Sequence, residues 1–245
     1  MKIIALGDIH GNLPALESCW RQAEEEGYDL ILHTGNVVGF GPFPDECVEF
    51  LAERRVAGVR GNFDENIGSD DEGCGVRDSS AAEVELARAA FEWTRRRIGL
   101  RHRKWLADLP FEIRQFVATA SRVATGNLPM SVFHANPVDL YSGITADMPE
   151  SSLAEHGEAS GADLLIFGNT LIPFHRVVDR RHFVNAGSVG RPRDRNPDTG
   201  YAVIQTDRDL HVAFRRFEYD IERTLTALRQ RGAPAGLAEA ITRAV

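Results

Sequence analysis

The residues able to do chemistry in this chain sit at the ends of short apolar runs. Ile3–Leu6 runs into Gly7 and then Asp8, with His10 two positions on, in "GDIHGN" (7–12). "DLILHTGN" closes on Asn36. "VAGVRGN" closes on Asn62, with Asp64 just beyond. "SVFHAN" carries His134, and "LLIFGN" closes on Asn169. Taken singly, each has an ordinary role: an Asp-x-His pair marks a helix start, asparagine suits a turn, and a lone histidine packs or forms a hydrogen bond. Taken together, a carboxylate, imidazoles and amide oxygens at successive strand ends suit a divalent transition metal.

The elements that must position these residues are readable from the pattern. The apolar, β-branched runs read as buried parallel strands. Between the first two lies a helix with Asn12 as its expected N-cap, Pro14 near its start and Leu13, Leu16, Trp20 and Ala23 at helical spacing. "FPDECVEFLAERR" repeats the unit. Residues 64–78 read as an acidic, glycine-rich loop. Ser80 and Glu83 then form a capping box ahead of a long helix, and "RHRKWLADLP" is a short one. From residue 111 the period moves toward two: "FEIRQFVA", "SRVAT", "MSVFHAN", "ADLLIFGN", "HRVVD", "HFVNAGS", "YAVIQT" and "LHVAFRRF" read as strands, before helices near 219–231 and 234–244. No linker divides the chain, so residues 1–245 read as one α/β domain of two packed sheets with helices outside. In open α/β sheets, ligands bind beyond the carboxyl ends of the strands, where these polar residues fall.

Bulk properties exclude several partners. The net charge of −8 argues against a nucleic-acid duplex or an anionic membrane. The three cysteines, Cys19, Cys47 and Cys74, have no CxxC spacing, which points to a reducing compartment. Lys2 is followed by a short apolar run and then Gly7 and Asp8, unlike a secretory leader, so a cytoplasmic location is expected.

On its ordered motifs the chain resembles the calcineurin-like metallophosphoesterases, in the small bacterial branch of phosphodiesterases and diadenosine-tetraphosphatase-like enzymes. That family carries Asp-x-His, Gly-Asp, Gly-Asn-His/Cys-Asp, a lone His and Gly-His-x-His. The matching blocks here are "GDIHGN" (7–12), "TGNVVGFGP" (34–42), "RGNFDE" (60–65), "FHANP" (133–137) and "FGNTLIPFHR" (167–176), followed by "NAGSVGRPRD" (185–194). The resemblance implies a four-layer α/β/β/α sandwich of two mixed sheets flanked by helices. It implies one metal at the positions of Asp8, His10, Asn36 and Leu171, and a second at Asn36, Asn62, His134 and Asn169. Asn62 and His134 carry over as catalytic positions, and Phe63 stands where the family has its proton donor.

Several of these positions depart from the family's residue types. Leu171 has no electron pair to donate. Asn36 replaces a bridging carboxylate with a neutral amide, and Asn169 replaces an imidazole. Phe63 removes a general acid, a contribution typically worth ~10²–10⁴-fold. His175 is the first candidate to compensate. His33 reads as packed in its strand, and Asp70, Asp71 and Glu72 as a solvated loop. One mononuclear site built from Asp8, His10, His134 and an amide oxygen stays open. The resemblance thus implies a metal-dependent phosphoesterase, acting on a phosphomonoester or phosphodiester, with a weakened site for manganese, zinc or iron holding one ion or none. The alternative is a non-catalytic protein of the same fold that binds a phosphate-bearing ligand. Either way the expected partner is a small phosphorylated molecule or nucleotide. Arg191 and Arg193 could face a phosphate, but a surface turn with solvated arginines is the expected setting.

Overall fold

A computed structural model describes residues 1–69, 73–75, 80–120, 125–207 and 209–244. Its strands are β1 (Lys2–Leu6), β2 (Leu30–His33), β3 (Ala57–Gly58), β4 (Glu112–Ala120), β5 (Thr125–Phe133), β6 (Leu164–Phe167), β7 (Phe174–Val178), β8 (Arg181–Asn185), β9 (Thr199–Gln205) and β10 (His211–Phe217). The helices are α1 (Leu13–Glu26), α2 (Pro44–Glu53), α3 (Asn62–Gly68), α4 (Ala81–Arg95), α5 (Leu100–Ala107), α6 (Glu150–Ser160), α7 (Ile221–Gln230) and α8 (Leu237–Thr242). They form two five-stranded mixed sheets, ordered β10-β9-β1-β2-β3 and β4-β5-β6-β8-β7. β1, β2 and β3 run parallel, as do β5, β6 and β8, while β9 and β7 are antiparallel to their neighbours.

Strand alternation explains the layers. Ile3, Ala5 and Leu32 of one sheet pack with Val132, Leu164, Ile166 and Val184 of the other, forming the core between the sheets. The intervening residues point outward: Ile4 and Leu6 meet Leu16 and Cys19 of α1, and Leu165 and Phe167 meet Leu153 of α6. Both faces of these strands are covered, which is why the sequence shows continuous apolar runs rather than clean alternation. The α/β fold with two mixed sheets flanked by helices is the one expected. Among the described residues, no helix is long and apolar enough to cross a membrane.

Three local expectations need correction. Asn12 holds the N-cap position of α1, but its side chain makes no capping hydrogen bond. Its amide donates to the Gly190 carbonyl (3.0 Å) and to Tyr219 Oη (3.1 Å), so it ties the turn after β8 to the C-terminal region. The expected loop from residue 64 begins inside α3, whose first turn is closed by Asp64 accepting from Gly61 N–H at 3.0 Å. β5 starts at Thr125, earlier than the "MSVF" pattern indicated, and runs through Pro129 opposite Phe116. The Ser80–Glu83 capping box is present as expected. Most of the "SRVAT" run, like Asp70, Asp71 and Glu72, lies outside the described residues.

Candidate functional site

The parallel strands of both sheets end at the same edge of the sandwich, and the polar residues of interest leave them there. Asp8 and His10 follow β1, Asn36 follows β2, Asn62 opens α3 after β3, His134 follows β5, and Asn169 follows β6. The backbone at these ends is unusual. Asp8, His10, Asn36, Asn169 and Leu171 all have positive φ, at 23°, 50°, 50°, 69° and 65°. Non-glycine residues in that region carry strain, and such residues cluster where structure serves a site. Two glycines allow the ends to close up. A Cβ on Gly168 would lie 2.3 Å from Asp8 Oδ2, and one on Gly61 would lie 2.3 Å from Asn36 Oδ1.

The resulting cluster is a chain of hydrogen bonds whose directions are fixed. Phe63 N–H donates to Asn36 Oδ1 at 3.0 Å, which only the oxygen end of that amide can accept. The NH2 end of Asn36 is therefore turned inward, donating to Asp8 Oδ1 (3.0 Å) and Asn62 Oδ1 (3.1 Å). Asn62 is held by its own Nδ2, which donates to the Cys74 carbonyl at 3.0 Å. His134 Nδ1 donates to the Thr34 carbonyl at 2.8 Å, so the other nitrogen of the neutral ring carries a lone pair. Asn169 Nδ2 donates to that nitrogen at 3.2 Å, and Asn169 N–H donates to Asp8 Oδ2 at 2.9 Å.

Electrostatics follow from burial. Desolvation pushes Asp8 up to about 7, against the hydrogen bonds from Asn169 and Asn36 that favour its charge. Burial lowers His134 to about 4 and holds His10 well below the usual histidine range, with Arg191 adding to the effect on His10. Both imidazoles are neutral at pH 7. The His10 ring is packed edge-on against Phe40 and Phe63 at 5.1 and 5.6 Å, and its Nε2 lies 3.7 Å from Asp8 Oδ1. Phe63 thus fills the space beside His10 with an apolar ring. Asp64 turns away from the cluster and accepts from the backbone N–H of Gly61, Val37 and Val38, which fixes the two loops that carry Asn36 and Asn62.

The residues present do not fit a two-cation centre. A bridging position must offer negative oxygen to both ions, whereas Asn36 commits its oxygen to Phe63 N–H and aims hydrogens at Asp8 and Asn62. Asn169 likewise aims hydrogens at His134 Nε2. Leu171 lines the cleft with no donor atom. Among the described residues, no three His, Cys, Asp or Glu side chains are grouped to hold an ion; His10 stands 3.7 Å from Asp8, and His134 is linked to Asp8 through Asn62 and Asn36 and through Asn169. His175 does not join the cluster either. It sits on β7 opposite Val184, and its Nε2 lies 3.0 Å from Nδ1 of His182 on the neighbouring strand. His33 is packed as expected, against Trp105.

A cleft of about 360 Å³ opens over the cluster, lined by His10, Asn36, Asn62 and Asn169 on its floor. Two further wall residues are arginines that the sequence places in a solvated turn, Arg191 and Arg193. Arg191 is no solvated turn residue: it is 7% exposed, and its guanidinium carbon stands 4.0 Å over the Phe40 ring. Burial, followed by the neighbouring Arg193, lowers it to about 10. Arg193 also faces the cleft and is ion-paired with Glu83 of α4. The available signal was "GSVGRPRD" itself, since Arg191 sits inside a turn restricted by Gly190 before it and Pro192 after it, which holds it in a defined place. Ser188 Oγ anchors that turn by donating to the Asp8 carbonyl at 2.7 Å and accepting from Arg191 N–H at 2.9 Å.

Comparison with known proteins places this geometry. In solved structures, the chain is similar to a metallophosphoesterase from Sphaerobacter thermophilus, with 27% identity, a TM-score of 0.77 and coverage of 100% of this chain and 99% of that one. It shares its fold with the hypothetical protein PH1004 from Pyrococcus horikoshii OT3, at 22% identity, a TM-score of 0.80 and coverage of 100% and 98%. Among curated proteins it is 25% identical to the uncharacterized protein MJ0912 of Methanocaldococcus jannaschii, over 97% of this chain and 96% of the relative. Residues 1–209 match the family model described as the calcineurin-like phosphoesterase superfamily domain, a family that generally uses divalent metals. The strand-end motifs, the double-sheet sandwich and this match over most of its length agree that the chain belongs to the calcineurin-like phosphoesterase superfamily.

Proposed function

We propose that this chain binds a phosphate-bearing small molecule, nucleotides included, in the cleft over Asn36 and Arg191, and does not hydrolyse it. The observation that carries the reading is the inward-turned amide of Asn36, 3.0 Å from Asp8 Oδ1 and 3.1 Å from Asn62 Oδ1. Metal-assisted phosphoester hydrolysis needs cations to polarise the phosphoryl group and lower the pKa of the attacking water. Here the amide N–H groups of Asn36 and Asn169 point at Asp8, Asn62 and His134, on the side where a cation would have to sit. Phe63 offers no proton to a leaving group. What remains is recognition: Arg191 and Arg193 supply the donors that suit phosphate oxygens. The buried, unpaired Cys19, Cys47 and Cys74 support a reducing, cytoplasmic setting.

A second reading, a metal-dependent phosphoesterase with a single ion, is favoured by one contact. Asn62 Oδ1 and His134 Nε2 face each other at 3.0 Å, and with the ring neutral no hydrogen lies between them. Two lone pairs so placed attract a cation. One experiment separates the readings: the protein is incubated with manganese, zinc or ferrous iron and then with p-nitrophenyl phosphate or bis(p-nitrophenyl) phosphate, while its melting temperature is followed with adenosine monophosphate. Binding without catalysis gives ligand-dependent stabilisation and no more nitrophenol than an Asp8→Ala control. Metal-dependent product above that control favours the second reading.

A further inference from the structure

The cationic wall of the cleft bears on which phosphate esters it takes. Arg191 and Arg193 leave the same turn and both line the cleft. Arg191 is buried, and the neighbouring Arg193 makes its charge more costly. A carboxylate already stands among them. Glu83 reaches across from the first turn of α4 to pair with Arg193, and the same carboxylate serves Ser80 N–H and Ser80 Oγ at 3.2 and 3.1 Å. The side chains of Arg193 and Glu83 are 34% and 31% exposed, so the pair is partly open to solvent.

Resting on the phosphate-binding reading above, we infer that the cleft selects phosphomonoesters over phosphodiesters, and that Glu83 sets that selection. A phosphodiester carries one negative charge. At Arg193 it can only take the place of a carboxylate that already supplies one, leaving Glu83 beside it as a like charge. A phosphomonoester at pH 8 carries close to two charges, its second pKa being about 6, and offers three terminal oxygens. It serves both guanidiniums at once and more than replaces Glu83. Because Glu83 is partly solvated, its displacement costs little. No bond is made or broken in this step.

The test uses phenyl phosphate and diphenyl phosphate as probes in titration calorimetry at pH 8 and low salt, with the wild-type chain and Glu83→Gln. Glutamine serves the same place in a capping box, so the variant retains α4. The wild type is expected to bind phenyl phosphate at least about tenfold more tightly than diphenyl phosphate, and Glu83→Gln to shrink that ratio several-fold by improving the diester. A second measurement needs no variant: lowering the pH from 8 to 5.5 returns the second proton of phenyl phosphate and also protonates Asp8 beside Arg191, which acts on both probes alike, so the preference for phenyl phosphate over the diester, read as the ratio of the two affinities, should fall. Equal affinities for the two probes in the wild type overturn the selection while phosphate binding itself stands. A ratio untouched by Glu83→Gln overturns the part assigned to Glu83. Binding of neither probe overturns the phosphate-binding reading and this inference with it.

Discussion

Replacing Asn36 with aspartate restores the family's residue type and, on this structure, harms the metal-free protein. The wild-type amide makes two inward hydrogen bonds, to Asp8 Oδ1 and Asn62 Oδ1 at 3.0 and 3.1 Å, while its oxygen accepts from Phe63 N–H. Aspartate can still accept from Phe63. Its second oxygen, however, faces two acceptors where two donors stood. Leaving a buried acceptor unsatisfied costs about 1–3 kcal/mol. Two carboxyls this close cannot both ionise, so the variant retains a proton that recovers one of the two bonds. The expected loss is about 3 kcal/mol near pH 7.5, or roughly 6–12 °C in melting temperature for a chain of this size. The assay is thermal unfolding in EDTA, repeated at pH 5 and then with manganese. The gap to wild type should narrow at pH 5, where the shared proton is held easily. Manganese should raise the variant by several degrees and leave the wild type unmoved. If Asn36→Asp melts with the wild type in EDTA, the inward amide is not what holds these strand ends together, and the reasoning fails.

Three further outcomes follow from the same geometry. Asp8 stands at about 7 when folded, against roughly 3.9 in an unfolded chain, so between those values the folded protein keeps a proton that the unfolded chain releases. Its contribution therefore falls as pH rises from about 4 to 7, by at most about 4 kcal/mol, and levels off above. Relative to an Asp8→Asn variant, the wild type should lose stability across that window, and a pH-independent gap contradicts the assignment. Phe63 is 2% exposed and its ring meets His10, Phe40 and Phe91, so Phe63→Ala should cost about 3–5 kcal/mol in denaturant unfolding, although the family uses the position for chemistry. A cost below about 1 kcal/mol would show that this ring is not part of the core. The triple variant Asn36→Asp, Asn169→His, Leu171→His should retain metal through gel filtration where Leu171→His alone does not; equal retention by the two would remove Asn36 from the argument.

Much of this arrangement is written in the sequence, and the parts that are not have identifiable causes. β1, β2 and β6 are legible because burial on both faces forces unbroken apolar runs, and their ends are legible because a glycine precedes each polar residue. α3 was hidden because its first turn is capped by the Asp64 carboxylate and the Gly61 backbone rather than by Ser or Thr. β5 was shortened in the reading by Pro129, which its neighbour accommodates. The amide of Asn36 is the sharper case. Sequence reading treats asparagine as a weak oxygen donor to a metal; only the Phe63 N–H shows that the oxygen is spent and the hydrogens face inward. His175 lies four residues past Leu171, but the β7–β8 register directs it to His182. Arg191 read as solvated because charge suggests exposure, whereas stacking on Phe40 lets its stem and guanidinium be buried.

The most direct test of the account is the metal content of the wild-type chain. Protein purified without chelator, soaked in manganese or zinc and then desalted would be measured by elemental analysis beside Asp8→Ala. Strand ends held by the amides of Asn36 and Asn169 predict no metal above the Asp8→Ala level in either preparation. One or more ions per chain, lost in Asp8→Ala, would contradict that and return the protein to the metal-dependent phosphoesterases.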